Sequence, residues 1–292
     1  MKTFRDSLDQ QDFVITGQLR LHENDTADDV LRQAETLADA MDAVSVTDCP
    51  YGVLHMAGLA AAALLVPRGI DPLLHLSTRD RNRLALKSEL LGAVAIGVTS
   101  LLLQRGDALP DDVLPSQHQV FDTGAKRFLR IAGQLSDYRE ANDQSPLNPG
   151  TMATVFRPED DWEPREIAAK VDAGARFIQT QICLDPRLLQ NYMRFLVAAR
   201  ITRRCRVVVS VPVLSSADNA RWLFNNLRGS VVPKSVVERF ASASDEAAFG
   251  VQLAAEMIAA FREIPGVSGV NLSTTGTPEG IVAAARLATS GT

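Results

Sequence analysis

Amide, carboxylate, imidazole and guanidinium side chains recur at one kind of place in this sequence, at or just past the end of a short apolar run. Gln18, Thr47-Asp48, His75, Arg105-Gly106-Asp107, Phe156-Arg157, Gln181, Leu214-Ser215 and Ser273-Thr274 all stand there. Amides both donate and accept hydrogen bonds, carboxylates accept or hold a cation, and guanidinium groups hold anions. Such a set can recognise a polar ring and steady a charge that develops on it. A single polar residue at a strand end does no more than approach solvent, so the set acquires meaning only if the elements bring it to one rim. Cys49, Cys183 and Cys205 have no metal-knuckle or redox spacing and read as reduced thiols, so no metal is expected.

The elements that must do this positioning alternate. Strands are expected at Phe13–Thr16, Ala43–Thr47, Leu73–Leu76, Ser100–Leu103, Thr151–Phe156, Phe177–Gln181, Arg206–Val211 and Gly269–Leu272. Between them lie runs with apolar residues at helical spacing: Asp28–Ala40, Arg81–Leu91, Gly124–Leu135, Pro164–Ala173, Pro186–Ala199, Ser216–Leu227, Asp245–Glu263 and Pro278–Ala288. Asp185-Pro186 and Thr277-Pro278 each place a capping residue before a proline at the first helical position. Ser136–Gly150 reads as a polar loop at the bottom of the fold. Gly17-Gln-Leu-Arg20 is not a glycine-rich phosphate turn, which argues against an open doubly wound sheet. The expectation is α/β: a single (β/α)8 barrel domain over residues 1–292, with its site at the C-terminal ends of the strands.

Bulk properties set the surroundings. A net charge of −5 leaves no basic stripe for nucleic acid, and Arg203–Arg206 reads as a solvated helix end. Leu59–Val66, the most apolar run, is too short to cross a membrane and is broken by Pro67 and Gly69. Met1–Gln11 is polar and charged, without the apolar core of a secretory signal, so the expected location is cytoplasmic.

The stretch Lys170-Val-Asp-Ala-Gly-Ala-Arg-Phe-Ile-Gln-Thr-Gln181 carries the most specific pattern. Together with Leu103-Gln-Arg-Gly-Asp107, His75-Leu-Ser77 and Thr47, it resembles the methylenetetrahydrofolate reductases, from about Phe13 to the C-terminus. The resemblance implies an oxidoreductase that interconverts 5,10-methylenetetrahydrofolate and 5-methyltetrahydrofolate, with FAD and NADH or NADPH, in one-carbon metabolism and methionine biosynthesis. It implies that Gln181 hydrogen-bonds the pterin and that Asp107 offsets a cationic iminium intermediate. Thr47, His75, Arg105 and Gly106 would hold the flavin, and Lys170 and Arg157 would balance its phosphates. Phe156 keeps one ring of a loop that stacks near the flavin. Asn219 and Leu223 occupy the positions of a substrate glutamine and a gating aromatic. Relatives form dimers or tetramers, so a homo-oligomer is among the implied partners, beside the folate itself.

The chain also departs from the family. Opening the methylene bridge needs a general acid, for which the family keeps a glutamate where this chain has Gln18; an amide cannot release a proton. Asp48, on the neighbouring strand, is the expected substitute. Ala169 stands where an arginine is frequent, and Leu272–Gly276 replaces the usual folate-tail contacts. Three readings follow: a displaced acid, hydride transfer from nicotinamide to folate without a flavin, or a folate- or flavin-binding protein that does not turn its ligand over.

Overall fold

In the computed structural model, which describes residues 2–109 and 118–290 and omits the side chain of Tyr51, the strand runs close on themselves. The strands are β1 (Val14–Gln18), β2 (Ala43–Val46), β3 (Pro72–Ser77), β4 (Ser100–Gln104), β5 (Asn148–Ala153), β6 (Phe177–Ile182), β7 (Arg206–Val213) and β8 (Val267–Thr274). All pair in parallel in chain order, and β8 pairs back to β1, giving a closed (β/α)8 barrel. Met1 and residues 291–292, the ends of the expected 1–292 domain, and residues 110–117 within it lie outside the described residues.

The helices are α1 (Phe4–Gln10), α2 (Ala27–Ala38), α3 (Gly58–Leu65), α4 (Arg83–Ala95), α5 (Ala125–Glu140), α6 (Arg165–Asp172), α7 (Pro186–Ala198), α8 (Ala217–Asn226), α9 (Lys234–Ala241), α10 (Glu246–Arg262) and α11 (Pro278–Ser290). Their apolar stripes pack on the outside of the barrel and form the main core. As expected, Asp185 caps α7 by accepting the N–H groups of Arg187 and Leu188, ahead of Pro186.

Three segments differ from the sequence expectation. The polar N-terminal stretch forms α1, started by a Thr3–Asp6 capping box, and it buries Phe4 and Leu8. The apolar run at 59–66 is helix α3, so hydrophobic on every side that periodicity carries no signal there. Strand β5 starts at Asn148 and ends at Ala153, because Asn148-Pro149-Gly150 pairs with β4 instead of forming the end of a loop.

Alternation along each strand decides what fills the barrel. The lowest inward positions, Val14, Ala43, Leu73, Leu102, Phe177 and Val208, close the bottom with Phe4 and Leu8 of α1. Phe4 meets Phe177 edge-to-face at 5.3 Å. Gly150 makes room for that ring, since a Cβ there would lie 2.2 Å from Phe177 Cζ. Two residues further along each strand, the inward positions are Thr16, Ser45, His75, Gln104, Met152, Gln179, Ser210 and Asn271. All but Met152 are polar, whereas barrels of this kind commonly fill such positions with branched aliphatics. The bottom is an apolar plug and the mouth is polar.

Candidate functional site

A cavity of about 240 Å³ opens at the C-terminal ends of the strands. Gln18, Thr47, Asp48, His75, Gly106, Asp107, Gln181 and Leu223, drawn from five strands or the turns just past them and from α8, line it together. Asp107 and Gln181 therefore share one mouth, at the same end of the barrel. Gln104, Gln179, Ser210, Asn271 and Ser273–Thr275 complete the polar wall, and Met152, Pro212 and Leu227 supply apolar surface.

Asp48 does not stand free as an acid. Its Oδ2 accepts the Ser77 N–H at 2.7 Å, and both oxygens take Arg81 in a bidentate pair at 2.7 and 2.9 Å. The side chain is buried and so is most of its partner, which makes the pair a clamp between β2 and the β3–α4 loop. His75 is buried, and burial lowers its pKa to about 4 against the pull of Asp48, so it is neutral in ordinary buffers. Its Nε2 has no hydrogen-bond partner among the described residues.

The β2–α3 loop is pinned by a residue that the sequence did not single out. His55 is buried; its Nε2 accepts the Cys49 N–H at 3.0 Å and lies 3.4 Å from Thr47 Oγ1. Cys49 sits at φ 43°, and Arg79 donates to its carbonyl while pairing with Asp80. The bend thus presents Thr47 and Asp48 at the rim.

Five expected site residues point elsewhere. Phe156 lies beyond the earlier end of β5 and packs on Trp162 and Tyr192 at 5.1 and 5.6 Å, outside the cavity. Arg157 follows it out and is exposed. Arg105 is exposed with its guanidinium 3.9 Å over the Phe121 ring. Lys170 reaches back to the Met152 carbonyl at 3.0 Å, and burial holds its ammonium below the usual lysine range against the attraction of Glu166. Asn219 is taken up by the cap of α8: Ser216 accepts its N–H, its Oδ1 accepts the Ser215 and Ser216 hydroxyls, and one turn later Leu223 faces the cavity instead.

These placements bear on the flavin that the resemblance implies. Of the residues it assigns to that group, Thr47, His75 and Gly106 line the cavity, whereas Arg105, Phe156, Arg157 and Lys170 do not. Other cations near the mouth are engaged: Arg79 with Asp80, Arg81 with Asp48, and Arg20 with the Thr275 and Gly276 carbonyls at 2.6 and 3.1 Å. Among the described residues, neither a stacking ring nor a free cation faces the cavity where a dinucleotide's rings and phosphates need them. The described residues do not fit a resident flavin dinucleotide.

The polar floor was legible only by period. Gln179 stands two residues before Gln181 on β6 and shares its inward face, and Asn271 and Ser210 occupy matching points on β8 and β7. None follows a strand end, so a search confined to strand ends passes over them. Among the described residues no cluster of side chains is suited to a metal, and no helix is long and apolar enough to cross a membrane.

Comparison with known proteins bears on this site. A family model described as methylenetetrahydrofolate reductase matches residues 22–283. A Caenorhabditis elegans protein described as a probable methylenetetrahydrofolate reductase (NADPH) is 26% identical over 140 residues, 46% of this chain and 19% of that protein. The chain thus spans about a fifth of that relative's length. Among solved structures, an uncharacterized Clostridium thermocellum protein that binds two copies of 5-methyl-5,6,7,8-tetrahydrofolic acid superposes with a TM-score of 0.68, at 12% identity over 97% of both chains. Mycobacterium tuberculosis tryptophan synthase superposes at 0.51, with 15% identity over 96% of this chain and 92% of that one. At such identities the likeness is one of fold.

Proposed function

Since the chain belongs to the methylenetetrahydrofolate reductase family, we propose that its cavity binds the pterin of a reduced one-carbon folate and exchanges a hydride between that carbon and a nicotinamide dinucleotide. The observation that carries this reading is the convergence of Asp107, Gln181 and Gln18 on one polar mouth. In the reducing direction, the bond between the methylene carbon and N10 breaks and N10 takes a proton. The iminium carbon on N5 takes the hydride from the dihydronicotinamide, which leaves oxidised. Asp107 is the only carboxylate lining the cavity that is not already engaged by a guanidinium among the described residues. Standing at the mouth, it stabilises the iminium cation. It is exposed at the mouth, where water can carry the proton that Gln18 cannot supply.

The set of side chains at the mouth favours hydride transfer without a resident FAD, because the stacking and phosphate-holding groups are turned away or engaged. A dinucleotide that visits and leaves can keep its phosphates in water.

Two measurements test this. The purified protein is expected to lack the visible absorbance of an oxidised flavin. It is expected to oxidise NADH or NADPH only when 5,10-methylenetetrahydrofolate is added, or to run the reverse from 5-methyltetrahydrofolate. A bound flavin that bleaches with reduced nicotinamide restores the FAD-dependent route. A second reading, folate binding without turnover, is favoured by the amide at 18 and the clamped Asp48. It predicts saturable binding of 5-methyltetrahydrofolate with no nicotinamide turnover in either direction.

A further inference from the structure

One layer below the rim, Gln179 carries an acceptor that the protein does not meet. The residue is 3% exposed and lines the cavity, and its Oε1 is buried without a hydrogen-bond partner among the described residues. Its Nε2 donates to Ser210 Oγ at 3.2 Å, and that hydroxyl donates in turn to the Thr180 carbonyl at 2.6 Å. Because the serine proton is committed to a carbonyl, Ser210 can only accept from Gln179. The amide nitrogen must therefore face Ser210, and the carbonyl is the free end.

Asn271 is the complement. Its Oδ1 accepts Thr16 Oγ1 at 2.8 Å and Ser45 Oγ at 2.7 Å, which leaves Nδ2 as a donor for the cavity that the residue lines. The strands carrying the two amides flank β7, where Ser210 is the register partner of Asn271. A buried acceptor and a donor held on fixed partners are costly to leave unmet. A ligand that satisfies both presents an N–H beside a C=O.

We propose that Gln179 and Asn271 form a second recognition layer that reads the lactam edge of the entering ring. This rests on the folate reading above, and there it names N3–H and O4 of a 2-amino-4-oxopterin. Gln181, two residues on along β6 and past a register shift against β7, lines the same cavity nearer the rim. A fused bicyclic ring standing in the mouth then spans both layers, with its lactam edge down and its other edge toward Asp107 and Gln181. The met carbonyl of Gln179 makes the site selective for the oxo form.

Folic acid and aminopterin differ in this edge alone, since the 4-amino group reverses both the donor and the acceptor. Isothermal titration of the intact protein is expected to show folic acid binding at least ~10-fold more tightly than aminopterin, as expected where buried polar groups would go unpaired. Gln179→Leu is expected to bring the two affinities within about threefold, mainly by weakening folic acid, while its unliganded Tm holds or rises because the unmet amide is gone. Gln179→Met serves if the leucine variant does not fold, and the wild-type ratio needs no variant. Equal affinities in the wild type, or an unchanged ratio in either variant, overturn the recognition layer. If neither folic acid nor 5-methyltetrahydrofolate binds the wild type, the folate reading itself fails.

Discussion

At the scale of the residue, the rim divides carboxylates by what already holds them. Asp107 faces solvent and the cavity, and Asp48 grips Arg81 with both oxygens. Asp107→Asn is expected to lower kcat on the order of 100-fold while leaving folate affinity within a few-fold, the signature of an interaction made in the transition state. Steady-state kinetics beside equilibrium titration separates the two. Asp48→Asn and Arg81→Gln should each lower Tm, and a double-mutant cycle should return a coupling of about 1–3 kcal/mol. Additive effects would mean that the clamp contributes nothing as a pair. Gln18→Glu restores a proton donor at the end of β1, so the rate should rise by at least ~10-fold, with a new limb in its pH profile along which the rate falls as the pH rises and the added carboxyl ionises. An unchanged rate would show that the proton arrives by another route.

Among the elements, α1 and the floor of the barrel depend on a buried carboxyl. Asp71 Oδ2 accepts the Phe4 N–H at 2.6 Å and Oδ1 has no hydrogen-bond partner among the described residues. Burial, opposed by that hydrogen bond, raises its pKa from 3.8 to about 6. A raised carboxyl pKa penalises the folded state once the group must ionise. The contribution is most favourable below about pH 4 and is lost as the pH rises through about 6. Asp71→Asn keeps an acceptor for Phe4 and removes the charge. It is expected to stabilise the protein at pH 8 by on the order of 2–3 kcal/mol and to have little effect near pH 3.5, the difference following from the shift. Urea unfolding across that range checks it, and a pH-independent gain would point to a cause other than ionisation. Gly150→Ala tests the same floor. Its Cβ would meet the Phe177 ring at 2.2 Å, so a loss of at least ~2 kcal/mol is expected from overpacking.

For the whole molecule, the barrel separates stability from function along its axis. Apolar side chains and α1 fill one end, and the polar layer and rim fill the other. Ligand that binds only the folded protein must raise its stability, by about 2.7 kcal/mol at a hundred times Kd. A thermal shift that grows with the logarithm of added 5-methyltetrahydrofolate, and is diminished in Asp107→Asn by no more than its change in Kd, is the expected result. No shift at saturating concentration would argue against folate binding.

The strand–helix alternation, the eight-stranded barrel and the set of residues past the strand ends were legible in the sequence, because period and punctuation are local properties. Gln18, Thr47, His75, Asp107 and Gln181 could be named from position alone, since strand ends in a parallel barrel converge. Partnership is not local. That Arg81 occupies Asp48, that Phe156 turns to Trp162 and Tyr192 once β5 ends three residues early, and that Lys170 folds back on Met152 are decided by neighbours that no local pattern names. The same holds for Gln179, whose unmet oxygen exists only because Ser210 and Thr180 fix the other end of its amide. Sequence determined which chemistry stood at the mouth, and tertiary structure decided which of those groups were left free to use it.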